Sequence, residues 1–185
     1  LDHLMAQKGF ALVRYADDFV ILCRSPEEAT QALAAVQEWT AAAGLTLHPT
    51  KTRIVNATDD GFEFLGDRFE NGKRYPRTKS LEKLKDTIRA KTKRTSGQCL
   101  RAIIGSLNPT LRGWFEYFKH SDRWTLTRLD QWIRMRLRSL LRKRLGLKGR
   151  GRGADHHRWP NAFFAKQGLY SLKTAHELAC QSSSR

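Results

Sequence analysis

Cysteine is scarce in this chain and never closely spaced: Cys23, Cys99 and Cys180 lie far apart, and no Cys-x-x-Cys occurs. That excludes a disulfide framework and a thiolate zinc site, and it points to reduced thiols in an intracellular protein. The adjoining His156 and His157 have no cysteine near them and read as a solvated loop pair. Long hydrophobic runs are missing too. None approaches the ~20 residues of a membrane span, no signal peptide is visible, and no membrane partner is expected. No internal repeat stands out. Acid is thin in one part of the chain only. Residues 1–66 hold 5 Lys+Arg against 9 Asp+Glu, a charge of −4, whereas residues 67–185 hold 29 against 9, a charge of +20. A small acidic region followed by a strongly basic one implies a polyanion partner, nucleic acid before an anionic membrane surface.

What is present is enough for one or two compact units: 185 residues, 40% of them hydrophobic. "LDHLMAQKGF" looks like the end of a helix running into a strand, as in a fragment whose fold began upstream of Leu1. Residues 10–23 read as a β-hairpin. In "SPEEATQALAAVQEWTAAAG" Ser25 is the N-cap, Pro26 the first helical residue, Glu28 the capping-box acid and Gly44 the stop. Ala29, Leu33 and Val36 give this helix one apolar face. "LTLHPTKTRIVN" breaks at Pro49 and resumes as a short strand, and "FEFLGDRFENGKRYP" is a hairpin turning at Asn71-Gly72. From Ser80 onward the pattern is helical. Leu81, Leu84 and Ile88 mark one helix. The next is interrupted at Asn108-Pro109 and then carries Trp114, Phe115, Tyr117 and Phe118, which read mainly as core. Leu129, Ile133, Leu137, Leu140 and Leu141 mark a third. "KGRGRG" is a flexible basic linker, and the segment after it is apolar enough to dock as a cap. The fold class is α+β, with antiparallel hairpins and one helix followed by an all-helical region.

The stretch "RYADDFVILCR" sets Asp17 and Asp18 between two strand-like runs without the Gly or Asn-Gly that a tight hairpin favours. Two like charges at such a tip have an ordinary explanation, since Asp tolerates and caps turn backbone. They have a chemical one as well. A tip lifts carboxylates out of the sheet, and Mg²⁺ takes hard oxygen ligands, bridging one or two carboxylates to substrate phosphates. Bound divalent charge offsets the repulsion between the aspartates.

"YADD" resembles the Tyr-x-Asp-Asp signature of reverse transcriptases. "GLTLHPTKTRIV" follows a helix, as the next palm motif of group II intron reverse transcriptases does. "FEFLG" is similar to that family's primer grip, and "NPTLRGWFEYFKHS" to its maturase-specific region. The four occur in the family's order over most of residues 10–145. The resemblance implies the C-terminal part of a reverse-transcriptase palm (residues 1–76), a helical thumb/maturase region (77–147), and a basic linker with a C-terminal cap (148–185). It implies an RNA-directed DNA polymerase of a group II intron that also binds its intron RNA to assist splicing and mobility. Mg²⁺ is the implied cofactor; RNA template, DNA primer and dNTPs are the implied partners; a cytoplasmic, bacterial-type location is expected. Asp17 and Asp18 would be the catalytic metal ligands, Tyr15, Ala16 and Lys51 would meet the substrate, and Phe64, Leu65 and Gly66 would form the primer grip. Arg134, Arg138 and Arg142 recur at i, i+4, i+8 and read as a row facing RNA. The fingers and first palm motif, with a further catalytic aspartate, should lie upstream, so this chain alone is expected to be inactive. Asp2 stands in no such context, and the His/Cys endonuclease of some members is missing. Two other readings stand beside this one: a splicing maturase without polymerase activity, and a reverse transcriptase recruited to a CRISPR-type system.

Overall fold

The computed structural model describes residues 1–183. The chain forms two compact units that divide between Gly72 and Lys73. In the first unit the order is α1 (Asp2–Gln7), β1 (Ala11–Tyr15), β2 (Asp18–Leu22), α2 (Pro26–Ala42), β3 (Phe62–Phe64) and β4 (Asp67–Glu70). The opening helix runs into a strand, as its sequence suggests. β1 pairs antiparallel with β2, Leu12 opposite Ile21 and Tyr15 opposite Asp18. Cross-strand partners share a face of a sheet, so Leu12 and Ile21 join the small core of Met5, Ala35 and Val36 beneath the hairpin.

α2 starts where its sequence dictates. The Ser25 hydroxyl accepts the Glu28 N–H at 3.2 Å, and the Glu28 carboxylate accepts the Arg24 N–H at 2.6 Å. The box thus closes on the residue before the N-cap. Gly44, at φ +67°, ends the turn beyond the helix. The buried stripe is Ala32, Ala35, Val36 and Thr40, rotated from the expected one, with Ala29 and Leu33 only half-buried. The strand expected after Pro49 does not form. Residues 45–61 are turns and irregular backbone, and Ile54 is exposed. β-branched side chains favour a strand only where a partner ladder takes the backbone groups, and among the described residues no strand pairs with this stretch.

The second unit comprises β5 (Lys73–Pro76), α3 (Thr78–Lys91), α4 (Leu100–Phe118), α5 (Arg123–Arg144) and three helices of the C-terminal segment, α6 (Ala154–Arg158), α7 (Asn161–Lys166) and α8 (Leu172–Ser183). One core runs through it, joining Leu84 and Ile88, Ile103 to Phe115, Leu126 to Leu140, Phe164 and Leu172. The apolar tail therefore docks. α4 is continuous, against the expected interruption: Pro109 sits inside it. An interior proline costs about 3 kcal/mol, but Leu107, Leu111 and Phe115, all buried, lie on one face across it. At about 1.5–3 kcal/mol for each fully buried side chain, their packing outweighs the break. Asn108 serves another element altogether. Its side-chain amide donates to the Gly168 carbonyl at 2.8 Å and accepts the Tyr170 N–H at 2.9 Å.

Asp130 is the sole acid of α5 and is buried. Its carboxylate accepts from the Ser171 hydroxyl and from the backbone N–H groups of Leu172 and Lys173, at 2.7–3.2 Å. One helix thus caps the start of another, where unpaired N–H groups and the helix dipole favour an anion. Asp130→Ala is expected to lower stability by about 2–3 kcal/mol, a lost cap plus stranded buried donors. Urea denaturation followed by circular dichroism measures it. A loss within about 0.5 kcal/mol, as for an ordinary surface change, would show that α8 docks without the carboxylate.

Candidate functional site

The β1–β2 connection is two residues long, Ala16 and Asp17. Ala16 has φ +54° and Asp17 is not in the positive region. Positive φ at the first central residue alone is the pattern of a type II′ turn, where glycine is the usual occupant. An alanine there is strained by roughly 1–2 kcal/mol. Arg14 braces the turn from within the strand: its guanidinium donates to the Ala16 carbonyl at 3.1 Å while gripping both oxygens of Asp2, at 2.6 and 2.7 Å. Arg14 thus holds the Asp2 carboxyl below the usual carboxylate range. Asp2 is a brace, not a ligand.

Asp17 and Asp18 are exposed at the tip, and among the described residues neither carboxylate has an ion-pair or hydrogen-bond partner. Tyr15 faces Asp18 across the register and is 68% exposed, on the side of the hairpin away from its core. The two carboxylates fit a hard cation such as Mg²⁺ by donor chemistry, since their oxygens are uncommitted. Among the described residues no group of three or more His, Cys, Asp or Glu side chains converges to complete such a site. His156 and His157 are both exposed.

Phe64, Leu65 and Gly66 lie at a second tight tip. β3 pairs antiparallel with β4, Phe64 opposite Asp67, leaving Leu65 and Gly66 as the turn. Both have positive φ, +49° and +86°, the pattern of a type I′ turn. The next turn, Asn71-Gly72, has the same backbone signs with the residues such a turn prefers. Leu65 is the exception in kind: a bulky apolar residue in left-handed backbone, with 37% of its surface exposed. Of the three non-glycine residues at positive φ among those described, Ala16 and Leu65 fall in the two sequence-identified site motifs. Backbone strain of this sort collects at functional turns. Lys51 stands apart, exposed in the irregular stretch before β3, with no ion pair among the described residues.

The arginine row of α5 is not the open face that its spacing suggests. Arg138 is buried, with its guanidinium donating to the Trp159 carbonyl at 2.9 Å and the Asn161 side-chain oxygen at 2.8 Å, and lying over the Phe164 ring. Arg142 donates to the Lys148 carbonyl and to Asp155, at 2.8 and 2.9 Å. Arg134 is mostly covered and lies 3.8 Å from Asp130. At Arg138 and Arg142 the stripe turns inward because the segment after α5 folds over it and supplies the acceptors, whereas Arg134 meets an acid of its own helix. Nor is the Gly/Arg stretch free: the Gly151 N–H donates to the Ser139 hydroxyl at 3.0 Å. Of the aromatic group, Phe115 and Phe118 are core, Trp114 packs against it, and Tyr117 is exposed. Spacing arguments missed Asp130. An isolated acid beside Leu129 and Ile133, on the apolar face of a basic helix, was the available signal.

Two predictions follow from these geometries. Ala16→Gly should stabilise the protein by about 1 kcal/mol by relieving the turn; a urea titration showing destabilisation would contradict the strain. Asp155 is held below the usual carboxylate range, first by the Arg152 N–H and then by the Arg142 guanidinium. Its contribution is therefore present above the unfolded-state value, about pH 4, and is lost as pH falls through the lower folded-state value. The gap in thermal midpoint between wild type and Asp155→Asn should close as the pH drops below about 4; a gap constant with pH would refute the linkage.

Comparison with known proteins agrees with both halves of the chain. Residues 1–69 match the family model of reverse transcriptase (RNA-dependent DNA polymerase). Residues 81–159 match that of the group II intron, maturase-specific domain. No curated protein matches the chain. Among the described residues no helix is long and apolar enough to cross a membrane. With a reverse-transcriptase match ending at β4 and a maturase-specific match over α3–α6, the chain belongs to the group II intron reverse transcriptase/maturase family.

Proposed function

We propose that the first unit carries part of the catalytic palm of an RNA-directed DNA polymerase, and that the helical unit binds intron RNA in support of splicing and mobility. The observation that carries the reading is the exposed, uncommitted carboxylate pair Asp17–Asp18 on a strained two-residue turn, within "YADD". A turn of that geometry is costly, and an RNA-binding splicing factor without polymerase chemistry has no use for paired ligands at it.

In this reading Asp17 and Asp18 would hold Mg²⁺. The bound metal would supply activation of a primer hydroxyl and charge stabilisation of a departing pyrophosphate. Tyr15, on the same face as Asp18, would bound the place of the primer end and incoming dNTP, and Ala16 would set the direction of the tip. Lys51 would meet the triphosphate from the neighbouring irregular segment. Phe64, Leu65 and Gly66 would grip the primer from the second tip. Two carboxylates do not span two metal ions; the remaining ligand would come from a preceding palm segment with its fingers. The boundaries proposed are 1–76 for the palm part, 77–147 for the thumb/maturase region and 148–185 for the C-terminal segment, of which residues 184 and 185 lie outside those described. The polyanion contact falls to exposed cations of the second unit rather than to the inward row of α5.

The test uses the complete polymerase. Asp17→Ala should abolish cDNA synthesis on a primed RNA template while RNA affinity stays within a few-fold, because a tip carboxylate is no phosphate contact. Retained synthesis in the folded variant would refute the assignment.

A further inference from the structure

A cleft of about 360 Å³ in the helical unit is lined by Arg89, Arg94, Arg136 and Arg150 around Trp132, with Met135 and Ser139 on its wall. Its parts come from three places: the end of α3 and the turn after it, one face of α5, and the Gly/Arg segment. Those parts are held in register by contacts already inside the unit. Arg136 donates from Nε to the Thr92 hydroxyl at 2.7 Å and from a terminal nitrogen to the Thr92 carbonyl at 3.3 Å. Arg94 donates to the Gly149 carbonyl at 3.3 Å. The guanidinium groups of Arg89 and Arg136 lie 5.7 and 5.4 Å from the centre of the Trp132 ring, an arrangement that fixes them by cation–π attraction.

The charge is not balanced locally. Arg89 has carboxylate partners, Asp86 at 2.6 Å and Glu82 at 3.5 Å. Among the described residues Arg94, Arg136 and Arg150 have none, and no acid lines the cleft. Arg136 meets only neutral acceptors, and its desolvation, with Arg89 and Arg94 beside it, makes it hold its proton less firmly than a free arginine. Gathering exposed Arg94 and Arg150 around the half-buried, uncompensated Arg136 concentrates positive charge in one concavity, which an anion would offset. Their planar forks match phosphate oxygens two at a time.

We propose that this cleft is a phosphate-binding subsite that takes a phosphodiester of an RNA strand between Arg94, Arg136 and Arg150, with Trp132 as its apolar wall. The assignment to RNA rests on the reading of the helical unit as an RNA binder. It adds a specific place and a bound group to that reading. The cleft differs from a general basic surface in being concave, partly desolvated and braced by neutral hydrogen bonds.

The test compares the full chain with Arg94→Gln/Arg150→Gln, both exposed and neither needed to hold the core, and with a control pair outside the cleft, Arg101→Gln/Lys166→Gln, also exposed. Circular dichroism melts confirm that each is folded. Calorimetry with pyrophosphate should show one site per chain in wild type and control, and none in the cleft variant. Anisotropy with a labelled unstructured RNA should show about a tenfold or greater loss for the cleft variant, with the slope of log K against log salt flatter by about one unit or more. Wild-type RNA binding that the cleft substitutions leave unchanged would overturn the subsite while leaving the RNA-binding reading intact. Pyrophosphate binding lost in the variant with RNA affinity unmoved would overturn the assignment to RNA. A wild-type chain with no RNA affinity would take down the broader reading and this subsite with it.

Discussion

A guanidinium group cannot lose its proton at any ordinary pH, so an arginine taken out of water must be given acceptors where it lies. Much of the second unit follows from that requirement at Arg138. Its fork is met by the Trp159 carbonyl and Asn161, and its flat face by Phe164. Those partners exist only because the chain after α5 folds back over the same helix. The Arg142–Asp155 pair and the Asp130 cap of α8 repeat the device at either end. α5 is thus partnered at Asp130, Arg138 and Arg142 as well as along its leucines. The basic composition of the helix serves the fold before it serves any ligand, and cations left over after this internal pairing are the ones free to act elsewhere.

The first unit is built on a different balance. Its buried core is Met5, Ala35 and Val36 with partly covered neighbours, a modest apolar reserve. Against it stand two tips, at Ala16 and at Leu65, whose backbone is unfavourable for the residues they carry. Val13, Tyr15 and Leu22 leave the outer side of the hairpin apolar and open. A unit with strained tips and an open apolar face is organised for contact with something other than itself.

What the sequence disclosed was local. The Ser25 cap, the Asn71-Gly72 turn, the apolar faces of α3 and α5 and the hairpin under "YADD" all depend on neighbours within a few residues, and all are present. The misses depend on partners distant in the chain. Pro109 reads as a break until the packing on both sides of it is known. The stretch after Pro49 reads as a strand until it is seen to lack a ladder. The left-handed backbone of Leu65 is not legible in the sequence because leucine is a poor turn residue, which is also why it is informative. The arginine spacing correctly put three side chains on one stripe; it could not say that a residue 23 positions later would cover one of them, as Asn161 covers Arg138.

Gly151 shows a consequence in time. A Cβ built there would come within 2.5 Å of the Arg138 Cβ, so this glycine is held at contact distance rather than left loose. It lies on the C-terminal side of α5, as do Trp159, Asn161 and Ser171. During synthesis α5 is therefore complete while Arg138 and Asp130 still lack every one of these acceptors and donors. A helical unit of this kind closes last-in: its central helix waits, hydrated and unlatched, for the segment made after it. Nascent chains halted before Trp159 would carry α5 with Arg138 and Asp130 still without these partners, a state that quality control reads as unfinished.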